Sequence, residues 1–166
     1  MGVVVGKREF MEPASRMFIS STYWSDTIGL RATLSTLNEV RRRDVPGQLQ
    51  KFGAELKRSL KVVANEVGLD VGCIGNDVMP MLQFSIDDQN LKNQAVTLYI
   101  QEMAKRGCHG YASFYLNAAQ GEAELGQTLQ AARETFIIIR DGIAGKRVAD
   151  LLECSVQKDA FRRLVK

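Results

Sequence analysis

Cysteine, histidine and proline are all scarce in this sequence. Its three cysteines, Cys73, Cys108 and Cys154, are odd in number and far apart, no Cys-x-x-Cys pair occurs, and His109 is the one histidine. A disulfide scaffold is excluded by that count, and a zinc site would lack the paired ligand spacing such sites show. Unpaired thiols fit a reducing compartment, so a cytoplasmic location is the expectation. Long apolar runs are also lacking. None approaches the roughly 20 residues that cross a bilayer. The apolar start Met1–Gly6 is too short for a secretory segment and gives way at once to Lys7-Arg8-Glu9. Charge of one sign is missing too. The 22 Lys and Arg stand against 19 Asp and Glu, a formal net charge of +3. That excess is too small and too dispersed to argue for nucleic acid or an anionic membrane as partner. No Gly-x-Ser-x-Gly elbow, Walker loop or dinucleotide fingerprint occurs, and nothing repeats internally.

What is present is one ordinary domain's worth of chain, 166 residues, with 45% apolar and 25% charged residues. That length can bury a sizeable core, which rules out disorder. Gly2-Val3-Val4-Val5-Gly6 has the pattern of a buried strand. After a turn at Pro13, Phe18-Ile19-Ser20-Ser21-Thr22-Tyr23-Trp24 is apolar at first and then rich in hydroxyls. Asp26 can cap a helix to about Arg43, with Leu30, Leu34 and Leu37 at helical spacing and basic residues at the C-terminal end, where the macrodipole favours them. Pro46 suits the start of a second helix, carrying Leu49, Phe52, Leu56, Leu60 and Val63 on one face and ending at Gly68. Two strands follow, Val71–Ile74 and Met81–Ile86, joined through Gly75-Asn76-Asp77. Asp87 or Asp88 caps a third helix with Leu91, Ala95, Leu98 and Tyr99 inward. A strand over Tyr111–Leu116 precedes a fourth helix bearing Leu125, Leu129, Ala132 and Phe136. From 46 to 140 the order is α-β-β-α-β-α, an α/β unit whose small, mainly antiparallel sheet is covered by helices. Residues 1–45 fit that unit poorly and read as a remnant of a larger neighbouring domain; 141–166 form a partly helical tail.

Few residues suggest chemistry. Ser20-Ser21-Thr22, ahead of a capped helix, offers hydroxyls and amides that suit a phosphate dianion, although such runs are also ordinary loop and cap residues. Tyr23-Trp24 could stack on a ligand ring or pack in an interface. His109 could be a general base or a satisfied surface histidine. Asp87-Asp88 could bind a cation, but capping explains both carboxylates. Cys73 and Cys108, in apolar surroundings, read as inert thiols. Asp141-Gly142 and Gly145-Lys146 read as turn punctuation. From these residues alone the chain is an α/β domain without a complete active site.

The order of features nevertheless has a parallel. Met-Gly-Val-Val-Val-Gly-Lys-Arg-Glu-Phe-Met-Glu (1–12), Phe-Ile-Ser-Ser-Thr-Tyr-Trp-Ser-Asp (18–26) and Gly-Leu-Arg-Ala-Thr-Leu-Ser-Thr-Leu (29–37) resemble class III, fold type I aminotransferases that use pyridoxal 5′-phosphate (PLP). Within that class the likeness is to the glutamate-1-semialdehyde 2,1-aminomutase-like group, and it extends to about Arg140. The resemblance implies the end of a PLP-transferase large domain (1–45) followed by the small C-terminal α/β domain (46–140). It implies amino-group transfer on an amino acid or amino-aldehyde through a Schiff base with PLP, in a homodimer. The lysine forming that Schiff base in the family lies upstream of the strand matching Gly2–Gly6, outside this chain. Lys7 does not match it, so this chain alone is expected to be inactive and not to retain PLP. Thr22, with Ser21 beside it, matches the family threonine that reaches across the dimer to the partner subunit's PLP phosphate. Two departures stand out: Tyr23-Trp24-Ser25-Asp26 replaces a small-residue and Asn-Pro pattern, and Ala119-Gln120 replaces an Ala-His pair. The competing expectation is a stand-alone, non-catalytic module that keeps the small-domain fold and dimerises or binds a partner through residues 1–45.

Overall fold

The computed structural model describes residues 4–19, 22–23 and 26–157. The chain forms two compact units, Met1–Val45 and Pro46–Lys166. In the first, a single turn α1 (Arg8–Met11) leads into a 3-10 turn (Glu12–Arg16), and α2 spans Thr27–Arg42. Asp26 starts α2 as expected: its two carboxylate oxygens accept from the Ile28 and Gly29 amides, each at 3.1 Å. None of the described residues of this unit is buried, and Leu30, Leu34 and Leu37 on α2 are each about half exposed.

The strand expected over Gly2–Gly6 is not formed at Val4–Gly6, where Val4 and Val5 are 82% and 84% exposed. A strand needs a paired edge, and the described residues of this unit supply none. Met1, Gly2 and Val3 lie outside the described residues.

Arg43 and Asp44 separate α2 from α3 (Val45–Val67), with Asp44 in the left-handed region (φ 48°) that aspartate tolerates better than most residues. Pro46 falls in the first turn of α3, where its missing N–H costs nothing. The buried face of α3 is Gly53, Leu56, Leu60, Val63, Ala64 and Val67. Gly68 (φ 74°) ends the helix, and the Leu69 amide donates back to the Ala64 carbonyl at 3.0 Å. Strands β1 (Val71–Ile74) and β2 (Met81–Phe84) pair antiparallel, with Val71 opposite Phe84 and Ile74 opposite Met81. Leu82 and Phe84 turn inward while Met81 and Gln83 turn out, the period-2 alternation of a half-covered sheet.

Tyr111–Leu116 does not become a full third strand. It makes one antiparallel bridge, Ser113 opposite Met81, with the Leu82 amide donating to the Ala112 carbonyl and the Phe114 amide to the Pro80 carbonyl. Pro80 has no N–H to return, which stops the ladder there.

Asp88 caps α4 (Gln89–Lys105) by accepting from the Leu91 amide at 2.7 Å. The second long helix of the cover, α5, spans Glu122–Ala144 and so runs straight through Asp141-Gly142, which is helix rather than turn. Glycine serves packing there: a Cβ on Gly142 would stand 3.0 Å from Leu151 Cδ1 and 3.3 Å from Val148 Cγ2. The core joins α3, the hairpin, α4 and α5, and is centred on Phe84, Tyr99 and Phe136. Their ring centroids lie 6.1–6.4 Å apart, with Phe84 edge-on to both others.

One close approach fixes α3 against the hairpin. A Cβ on Gly53 would stand 1.6 Å from the Asp77 carbonyl oxygen, so no side chain fits there. One turn on, Lys57 Nζ donates to the Gly75 carbonyl at 3.1 Å and to Asp77 Oδ1 at 3.0 Å, pinning the same turn. In an open helix Gly→Ala stabilises by about 1 kcal/mol. Gly53→Ala should reverse that sign and cost about 2–3 kcal/mol through backbone overpacking, read as a lower urea midpoint.

A second polar cluster fastens α4. Glu102, 7% exposed, accepts from Lys105 and Arg106 at 2.8 Å and from Gln101 at 3.0 Å, and Arg106 also reaches Glu134 on α5. Burial alone pushes the Glu102 carboxyl up, but these hydrogen bonds outweigh it and hold it at about 2. Its folded value lies below its unfolded one, so this contribution is full above about pH 4.5 and is lost as pH falls towards 2. Glu102→Gln should remove that limb. Urea titrations from pH 6 to 2 should show the natural protein losing about 1–3 kcal/mol more than the variant across that window.

Candidate functional site

The hydroxyl-rich loop before α2 carries the residues the sequence singled out. Thr22 and Tyr23 lie in a turn, and the Asp26 amide donates to the Tyr23 carbonyl at 3.2 Å. Both Thr22 and Tyr23 are exposed. Ser21, like Ser20, Trp24 and Ser25, lies outside the described residues. The loop departs from the simple helix-terminus picture of an anion site. The two α2 amides that would face an anion, Ile28 and Gly29, are taken by the Asp26 carboxylate, which brings negative charge of its own. A phosphate at this loop would therefore rely on the Thr22 hydroxyl and its neighbouring backbone rather than on the end of α2. The donor set among the described residues fits one contact of a phosphate cradle, not the whole of it.

The second unit contributes a cleft that spacing did not reveal. It has a volume of about 350 Å³ and lies where the end of α4, segment 107–115 and the start of α5 meet, with Tyr99, Cys108, His109, Tyr115, Glu124 and Thr128 on its walls. Gly107 (φ 78°) turns the chain out of α4 and brings Cys108 and His109 to the rim. The signal that could have located it is that glycine followed by Cys-His. Gln127 and Thr128, also in the wall, sit on the polar side of α5 and carry no pattern.

The groups in the cleft are not arranged for catalysis. Burial pushes the Cys108 thiol up, only partly offset by its hydrogen bond with Thr128, so it is held as thiol rather than thiolate. The Glu124 carboxylate accepts from the Gly121 amide at 2.8 Å at the start of α5, and backbone donors there hold it below the usual range. It is spent on capping. His109 is exposed. Burial likewise raises the Cys73 thiol, with Lys57 pulling weakly the other way, and Asp88 is used as a cap. Lys57 and Lys105 are both tied into ion pairs, with Asp77 and with Glu102 and Glu153. Among the described residues no group of three or more His, Cys, Asp or Glu could hold a metal ion, and no helix is long and apolar enough to cross a membrane.

No family model matches the chain. Sequence relatives are nonetheless found along most of its length. It is 28% identical over 152 residues to a 3-aminobutyryl-CoA aminotransferase of Cloacimonas acidaminovorans, covering 84% of this chain and 34% of the relative. It is 28% identical over 155 residues to a glutamate-1-semialdehyde 2,1-aminomutase of Ignicoccus hospitalis, covering 84% and 36%. The fold matches that of the FumI protein of Sphingopyxis sp. MTA144, solved in its PLP internal aldimine form, with a TM-score of 0.73 at 21% identity over 89% of this chain and 36% of that one. The chain thus spans about a third of the length of the relatives it matches. A matched share of 89% also leaves too few residues over for the first unit to fall outside it. Read with the α/β architecture and the motifs of residues 1–37, these matches place the chain by descent: it is homologous to the C-terminal part of class III PLP-dependent aminotransferases and glutamate-1-semialdehyde aminomutases.

Proposed function

We propose that this chain serves PLP-dependent amino-group transfer, of the aminotransferase or aminomutase kind, on an amino acid or amino-aldehyde. The observation that carries this reading is the alignment of 84% of the chain with enzymes of both activities. PLP, when bound, supplies an electron sink for bonds at the amino-bearing carbon. The chain's own share is binding and shape. Thr22, exposed on its turn, donates its hydroxyl to a phosphate oxygen, assisted by Ser21. In a homodimer it does so for the partner subunit's cofactor. The Asp26 carboxylate keeps the start of α2 from competing for that anion and fixes where the loop ends.

The half-exposed row Leu30, Leu34 and Leu37 on α2 supports a role within a larger assembly, since an amphipathic helix gains most of its stability by covering such a face. The amine that forms the Schiff base comes from polypeptide equivalent to the other two thirds of the relatives. Of the described lysines, Lys57 and Lys105 are bound in ion pairs and Lys7 is exposed before α1. By itself the chain does not turn over substrate.

Incubation of the chain with PLP, borohydride reduction and peptide mass mapping should give adducts spread thinly over surface lysines. One dominant lysine, abolished by its substitution with arginine, would show that the chain carries its own reactive amine and sink the reading. In an enzyme assembled with a lysine-bearing large-domain polypeptide of this class, Thr22→Ala should weaken PLP retention by about 1–3 kcal/mol, the scale of a charge-assisted hydrogen bond. Unchanged cofactor affinity would remove Thr22 from the site.

A further inference from the structure

Beyond α5 the chain turns back along α4. After a 3-10 turn at Ala149–Leu151 it is held by three α4 side chains at four-residue spacing, Thr97, Gln101 and Lys105, which line one face of that helix. The Gln101 side-chain amide works as a peptide group would: its Nε2 donates to the Leu151 carbonyl at 3.0 Å and its Oε1 accepts from the Glu153 amide at 2.7 Å. The Thr97 hydroxyl accepts from the Gln157 amide at 3.0 Å while donating to the Asn93 carbonyl at 2.7 Å, so both its roles are used. Lys105 Nζ lies 2.6 Å from Glu153 Oε1. The far end of this arm closes something. Gln157 forms a wall of a cleft of about 260 Å³ whose other walls include Asn93, Val96, Ile100 and Ser113.

We propose that Thr97, Gln101 and Lys105 form a docking track for the backbone of Leu151–Gln157, and that this segment is a displaceable latch over the cleft beside α4. Three features carry this. The track reads backbone amides and a carbonyl through side chains, so it recognises backbone more than a particular sequence. Its one side-chain preference is an acidic residue at the Glu153 position, facing Lys105. Leu151 and Leu152 anchor the base of the arm against the core, but Glu153, Cys154, Ser155 and Gln157 are exposed, so beyond Leu152 little apolar surface resists its release. The segment that the track fits therefore bends at an acidic residue, and here the chain supplies it in cis.

Native-state hydrogen exchange on the full chain tests the latch. The amides of Glu153 and Gln157 should be protected, and should exchange through an opening that leaves the Leu98, Tyr99 and Met103 amides of α4 closed. Gln101→Leu should speed Glu153 exchange about tenfold, and Thr97→Val should do the same for Gln157, the loss of one hydrogen bond in each case. Neither should move the α4 core amides. The proposal is overturned if the two arm amides exchange at the unprotected rate in the natural chain, or if they open only together with the α4 core. Two variants acting on different amides keep the test decisive should one of them disturb the helix.

Discussion

Phe84, Tyr99 and Phe136 come from β2, α4 and α5, and each ring lies within about 6.4 Å of the other two. That three-way contact is the constraint on which the second unit depends. A two-stranded hairpin is marginal alone in water, and long helices gain most of their stability from packing an apolar face. Here each element is covered only because the other two are in place. The Tyr99 ring sits so deep that burial pushes its hydroxyl above the ordinary tyrosine value, the mark of a ring committed to packing. Around the trio, Gly53 and Lys57 set how closely α3 approaches the hairpin, and Glu102 with Arg106 ties α4 to α5 at the surface.

Residues 46–148 and the residues before them answer to different demands. The former supply every buried side chain among the described residues. The latter supply the loop with Thr22 and the half-exposed leucine row of α2. The packing is local to the small α/β unit, while the enzymes to which the chain is homologous are about three times as long.

Helices were the most legible part of the sequence, because their signals are local and redundant. Asp26, Pro46, Gly68, Asp88 and Gly107 all mark ends that the structure places within a residue or two, and the inward faces of α3, α4 and α5 follow the 3.6-residue period. The sheet was less legible. Ala112, Phe114 and Leu116 do pack against the core, yet the proline just ahead of β2 cut the ladder to one bridge, and no local pattern encodes a missing donor on another segment. Val4 and Val5 have strand composition without a strand, since pairing partners are not written in the residues that need them. Asp141-Gly142 misleads for a related reason: glycine there answers to a close neighbour, Leu151, rather than to a turn. The loop around Thr22 was found by likeness to a family, since its own pattern is shared with countless ordinary loops. The cleft near His109 and the track on α4 escaped notice because their members stand on three separate elements or alternate with core residues.

The open face of α2 has one more consequence. Side chains left half exposed here leave a smaller trace on melting when they are altered, whereas those around Phe84 register at once. Substitutions along Leu30, Leu34 and Leu37 would thus leave the melting profile less changed than substitutions at the aromatic trio. Heat resistance in this chain measures chiefly the packed part of its sequence.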